Sequence, residues 1–211
     1  KNTDEATGLW LGESAEFVDE LQKHGIAYDF VSPNGGYVPL DPRSMKYMDE
    51  AIWNIYERQD FVERALKKTL KPEEVISQDY RAIYFTGGHG VMWDFPDNPE
   101  IKGIAQAIYA HGGYLTSVCH GIAGLLNLKN QEGQYIISGK KITGFTTAEE
   151  VLAGKKKIVP FLNEEVAKSR GATWCKKRFY KDFALQDGQL ITGQNPFSVR
   201  SVAKMLIKEI A

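Results

Sequence analysis

Residues 114–126 read YLTSVCHGIAGLL, a short β-rich run that reaches a cysteine and passes at once, through small residues, into an apolar helical pattern. A strand that turns straight into a helix sets the turn residue on the C-terminal edge of a sheet. Open α/β sheets place their ligands and chemistry at that edge. The turn also aims free helix N–H groups and the positive dipole end at Cys119, which favours thiolate over thiol. The competing expectation is a small buried hydrophobe, the usual state of a lone cysteine.

The rest of the chain repeats the same grammar. Helical spacing predicts helices over 13–24, within 45–70, over 97–110, from Val159 to Ser169 and over 196–210, with a further helix start at Lys71-Pro72. Short apolar strands are expected at 27–31, 82–85 and 114–118. Two strand–turn–strand signals follow, one around Gly139-Lys140 and a stronger one around Asp187-Gly188. Alternating helices and strands predict one domain over 1–211, an α/β/α sandwich whose mostly parallel sheet gains antiparallel material at an edge. The helix at 13–24 and the strand at 27–31 lack the buried strand that normally comes first, so a first strand missing from this chain is expected.

Composition narrows the function. A formal net charge of -1 over 211 residues argues against general nucleic-acid binding. No apolar run approaches the ~20 residues that span a bilayer. Cys119 and Cys175 make no disulfide framework and no CxxC or His-rich cluster, so a cytoplasmic setting and no metal are expected. Cys175 has no histidine or helix start beside it and reads as structural.

Three features converge on Cys119. His120 is its neighbour, and at a tight turn its ring can fold back toward the sulfur; it then needs an orienting carboxylate, for which Glu149 and Glu150 are candidates. Gly87-Gly88-His89-Gly90 follows the 82–85 strand, and glycines there let backbone N–H groups approach a bound oxygen. Glu13 starts the first helix; a carboxyl buried beside a thiolate is held protonated and can donate to the sulfur. Trp93, Phe145 and His89 are candidates for the pocket wall.

Ser117-Val118-Cys119-His120-Gly121, Gly87-Gly88-His89-Gly90 with Asp94-Phe95-Pro96, and Ile142-Thr143-Gly144-Phe145-Thr146 together resemble the ThiJ/PfpI superfamily, also called class I glutamine amidotransferase-like. Within it, the chain is most similar to the heat-shock chaperone and glyoxalase III branch. The Asp41-Pro42 loop and Leu190-Ile191-Thr192-Gly193-Gln194-Asn195-Pro196 extend the likeness over nearly the whole chain. The resemblance implies a flavodoxin-like sandwich, a homodimer, Cys119 as nucleophile with His120 as partner, and Glu13 bonded to the sulfur. It places the third acid at Glu150 in preference to Glu149, and oxyanion donors at the Gly88 and His120 backbone N–H groups. The implied activity is cofactor-free conversion of a small 2-oxoaldehyde, methylglyoxal, to lactate, with repair of glycated protein as a related role. A holdase for unfolded proteins and a cysteine amidase or peptidase are the alternatives. Oxidation of Cys119 as a redox sensor is a further one.

Overall fold

The computed structural model describes residues 5–211. Its helices are α1 (Leu11–Lys23), α2 (Glu50–Tyr56), α3 (Gln59–Phe61, continued by a π-helical turn Val62–Lys67), α4 (Val91–Asp94), α5 (Pro99–Ala110), α6 (Ala123–Leu126), α7 (Thr147–Leu152), α8 (Asn163–Ser169) and α9 (Val199–Ile210). The strands are β1 (Ala82–Phe85), β2 (Tyr114–Val118), β3 (Lys141–Ile142), β4 (Thr173–Trp174), β5 (Ala184–Asp187) and β6 (Leu190–Gly193).

The main sheet has the order β1-β2-β6-β5. β2 is central and parallel to both neighbours, pairing Phe85 with Ser117 on one side and Val118 with Gly193 on the other. β5 returns antiparallel to β6 through Gly188, whose φ of 61° suits the tight hairpin that the Asp187-Gly188 pair predicts. β3 and β4 form a small separate parallel pair.

Alternation along β2 divides the core. Leu115 faces a cluster with Phe85, Ile101, Ala105 and Leu125, which seats α5 on one face. Val118 faces Phe17, Leu21, Ile191, Val202 and Leu206, which seats α1 and α9 on the other. The result is the three-layer sandwich with a mostly parallel sheet. Arg200 of α9 ties the two helices of that layer together through Asp19, Glu20 and Glu16 of α1.

Four local expectations are corrected. Residues 27–31 form no ladder; Val31 makes a single parallel bridge to Leu70. The edge of β1 away from β2 has no strand partner among the described residues. A cavity of about 530 Å³ is lined by Tyr28, Phe30 and Val31 together with Ala82, Tyr84 and Phe85. Among the described residues the backbone here pairs with Leu70, whose N–H donates to the Phe30 carbonyl and whose carbonyl accepts from the Ser32 N–H, which is too little for a ladder. The Gly139-Lys140 signal is a turn but not a hairpin: Ile136 and Ile137 are buried in it, and Lys141 pairs in parallel with Thr173. Core burial of the two isoleucines outweighs the local β pattern. Lys71-Pro72 starts only the one 3₁₀ turn Pro72–Glu74, and the helix expected from Val159 begins at Asn163. No helix among the described residues is long and apolar enough to cross a membrane.

Candidate active site

Cys119 closes β2 and opens a 3₁₀ turn, Cys119–Ile122, that leads into α6. Its φ is 58°, a left-handed conformation for a residue with a Cβ, costing on the order of 1–3 kcal/mol. The turn is enforced by contact: a Cβ on Gly121 would lie 2.1 Å from the Phe85 carbonyl oxygen, so only glycine lets the turn sit against β1. The strain projects Cys119 toward the sheet's C-terminal edge.

The bend brings the adjacent ring back. Cys119 Sγ and His120 Nδ1 lie 3.3 Å apart, and His120 Nε2 is 2.8 Å from Glu150 Oε2. Both residues of the pair are buried, as is Glu150. Phe145 stacks on the imidazole with ring centres 4.3 Å apart, and its N–H donates to the Cys119 carbonyl at 3.0 Å.

The two candidate acids have different partners. Thr146 is the N-cap of α7, and its hydroxyl accepts from the Glu149 N–H at 3.1 Å. Glu149 Oε2 in turn accepts from the Thr146 N–H and hydroxyl. Glu149 Oε1 accepts from Gln194, Asn195 and the Tyr180 N–H. Glu149 thus anchors the loop that carries Tyr180, which has a φ of 52° and packs its ring against Phe145. Glu150, one residue on, points to the histidines.

His89 sits beside His120, with ring centres 4.0 Å apart. It is buried and uses both ring nitrogens on protein groups, Nε2 on Glu150 Oε1 at 2.8 Å and Nδ1 on Arg43 Nη2 at 3.0 Å. Trp93 is 45% exposed and lines a separate recess of about 240 Å³ with Glu5, Arg43, His89 and Lys155. Arg43 and Asp41 carried no expected role. The only sequence signal was their place in the Asp41-Pro42 loop.

Glu13 is fully buried at the start of α1. Oε2 accepts from the Gly87 N–H. Oε1 has no partner at hydrogen-bonding geometry among the described residues, and the carboxyl interacts with Cys119. Burial pushes this carboxyl up to about 8, against opposing pulls from Cys119 and Gly87. At neutral pH it is therefore largely protonated, a donor beside the sulfur.

Electrostatics sets the resting proton positions. Burial pushes the Cys119 thiol well above its ordinary value; Glu13 adds to this and the His120 backbone N–H opposes it. Burial thus works against the expected dipole-stabilised thiolate, since a single 3₁₀ turn followed by the four residues of α6 faces full desolvation of the sulfur. Burial also lowers His120 to about 4, with His89 adding to the effect and Glu150 opposing it. Burial alone would raise Glu150, but hydrogen bonds from His120 and His89 outweigh it and hold the group at about 2. The resting site is a thiol, a neutral imidazole and a carboxylate.

Gly88 has a φ of 108°, and a Cβ there would meet the Gly8 carbonyl oxygen at 2.1 Å. Its N–H donates to no protein acceptor among the described residues. Gly88→Ala is expected to cost about 3 kcal/mol or more of stability through strain and overpacking, read as a loss of several degrees in Tm.

Ligand atoms of His89, His120 and Glu150 lie within 4.8 Å of one another, close enough to ask whether they hold a metal. Arginine only donates, so His89 Nδ1 must accept from Arg43, and the His89 proton sits on Nε2, facing Glu150. A metal on that nitrogen would push the proton to Nδ1, against the guanidinium. The donor set fits protons and not a metal ion.

The model of the DJ-1/PfpI family matches residues 11–209. The chain belongs to the DJ-1/PfpI family. It is 34% identical to a Saccharomyces cerevisiae protein named glutathione-independent glyoxalase HSP31, over 93% of this chain and 86% of that one. Among solved structures, the Francisella tularensis Rapid Encystment Protein 24 KDa superposes with a TM-score of 0.95 at 35% identity, covering 100% of this chain and 93% of that chain. Glyoxalase III from Candida albicans superposes at 0.85 with 29% identity, over 96% and 88%.

Proposed function

We propose that the protein is a cofactor-independent glyoxalase that converts methylglyoxal, or a 2-oxoaldehyde of similar size, to the 2-hydroxy acid. The observation that carries this reading is the fully buried Glu13 carboxyl beside Cys119, held by the Gly87 N–H. A plain thiol hydrolase has no use for a second carboxyl tuned to about 8, whereas moving a proton between adjacent carbons needs one. Cys119 is 3% exposed, which suits a three-carbon substrate and disfavours a peptide.

The chemistry follows from the proton positions. Cys119 gives its proton to His120 Nδ1 and the thiolate adds to the aldehyde carbon C1. Glu13 protonates the resulting alkoxide, giving a hemithioacetal, and its carboxylate then removes the C1 proton. The backbone N–H groups of Gly88 and His120 hold the enediolate oxygen in this scheme. His120 gives its proton to the C2 oxygen and takes that of the C1 hydroxyl, while Glu13 delivers its proton to C2. The product is a thioester of Cys119. Glu13 takes a proton from the attacking water, the C1–sulfur bond breaks, and His120 reprotonates the thiolate. The sum is one aldehyde and one water giving one hydroxy acid. The reading also takes the enzyme to be a cytoplasmic homodimer, which sedimentation analysis tests for the dimer.

Protein freed of small thiols and treated with a chelator is expected to form lactate from methylglyoxal. A strict requirement for glutathione, or no lactate, sinks the proposal. The kcat/KM profile is expected to hold a plateau bounded by an acid limb near about 4, from His120, and an alkaline limb near about 8, from Glu13. An acid limb at the ordinary histidine value would show that His120 is not the base.

A further inference from the structure

The buried Asp41 carboxylate grips Arg43 with both oxygens, Oδ1 accepting from Nε at 2.9 Å and Oδ2 from Nη2 at 2.6 Å. The same Nη2 donates to His89 Nδ1 at 3.0 Å. Each bond in this chain has a forced direction, because guanidinium groups only donate and carboxylates only accept. His89 is left with one proton, on Nε2, and gives it to Glu150 Oε1. Glu150 Oε2 remains for His120.

We propose that Asp41, Arg43 and His89 form a positioning arm that fixes the plane of Glu150 and keeps His89 neutral, so that the proton Cys119 gives up is taken by His120 alone. This rests on the proton-transfer reading of Cys119, His120 and Glu150 given above. The two imidazoles are 4.0 Å apart between ring centres and share one carboxylate. A second cation on His89 would neutralise Glu150 and repel the imidazolium that forms when Cys119 gives up its proton. Arg43 prevents this by directing an N–H at the only nitrogen that could take the extra proton. Asp41 cancels the guanidinium's own charge, which would otherwise disfavour that imidazolium. The charged and titratable groups around His89 are Arg43 with Asp41, Glu150 of α7, His120 after β2, and Glu5 with Lys155 across the small recess. None of the arm touches Cys119, so its members are positioning residues.

Three substitutions and one double variant test the arm. A glutamine at 89 can donate to Glu150 and accept from Arg43 but cannot become a cation; a leucine can do neither. His89→Leu is expected to lower kcat about 10- to 100-fold, the usual effect of losing a supporting hydrogen bond behind a reactive histidine, with KM within about twofold. His89→Gln is expected to retain most activity. Arg43→Met frees His89 Nδ1 to take a proton, and kcat/KM is expected to gain a new acid limb that the wild type lacks. That limb is expected to vanish in Arg43→Met/His89→Gln. The same four proteins are alkylated with iodoacetamide across pH, with Cys119 and Cys175 followed separately by mass. Cys119 alkylation needs no aldehyde chemistry, so it reads the arm even if methylglyoxal is not the substrate. A misfolded variant identifies itself, because buried Cys119 would then react as fast as the more accessible Cys175; the His89 pair decides the case if Arg43→Met misfolds. A wild-type profile and kcat in His89→Leu, no new limb in folded Arg43→Met, or His89→Gln as impaired as His89→Leu would each overturn the proposal.

Discussion

Cys119→Ala is expected to reduce lactate formation from methylglyoxal by on the order of 10³- to 10⁶-fold, the scale seen when a covalent nucleophile is removed. No neighbouring group can replace it, since His120 is held by Glu150 and Glu13 is protonated at neutral pH. The fold is expected to survive. The lost sulfur leaves a small void beside Val118 and Phe145, costing about 1 kcal/mol or so. Cys175→Ala is the matched control; its sulfur reaches only the Thr173 carbonyl, and turnover is expected to stay at the wild-type value. Rapid quenching and intact-mass measurement are expected to find a covalent adduct on the wild type and none on Cys119→Ala. Lactate production by Cys119→Ala at the wild-type rate would end the covalent mechanism.

Glu13→Gln is expected to separate chemistry from stability in opposite directions. The amide keeps an oxygen for the Gly87 N–H but cannot exchange a proton, and kcat is expected to fall about 10²- to 10⁴-fold, the usual worth of a general acid–base group. Stability is expected to rise. The Glu13 carboxyl titrates near about 8 in the folded chain against a usual 4.5, so between these values the folded state holds a proton the unfolded state has lost. Wild-type stability attributable to this group is therefore complete below about pH 4.5 and declines as pH rises to about 8. At 1.36 kcal/mol per unit the decline reaches roughly 5 kcal/mol. Glutamine has no proton to lose. Urea denaturation at pH 5 and pH 8.5 is expected to show the variant's advantage growing by several kcal/mol at the higher pH. An advantage that is the same at both would mean that Glu13 is not a buried, protonated acid.

How far the site could be read in advance varies residue by residue. The elbow at Cys119 was legible because strand, turn and small residues follow one another without a gap. The Asp187-Gly188 hairpin was legible for the same local reason. Glu149 and Glu150 were not separable, since both Thr146 and Thr147 have a glutamate three residues on, and either could make the capping box. The structure caps α7 at Thr146, which commits Glu149 to the cap and turns Glu150, about 100° further around the helix, toward the histidines. A one-residue shift in the cap would have exchanged the two roles. Arg43 was invisible because its partner His89 lies 46 positions away and nothing near either residue marks the contact.

Side-chain periodicity and turn chemistry among near neighbours are enough to set the alternation of helices and strands, the central strand with its cysteine turn, and the β5–β6 hairpin. Where the protons sit depends instead on contacts made across the fold. Residues distant in the chain bury Cys119, His120 and Glu13 together, and desolvation then reverses the charge that a local dipole argument assigns to the sulfur. Residues 27–31 make a single bridge and no ladder for a related reason: a strand is stabilised by a neighbour's backbone along its length and not by its own propensity.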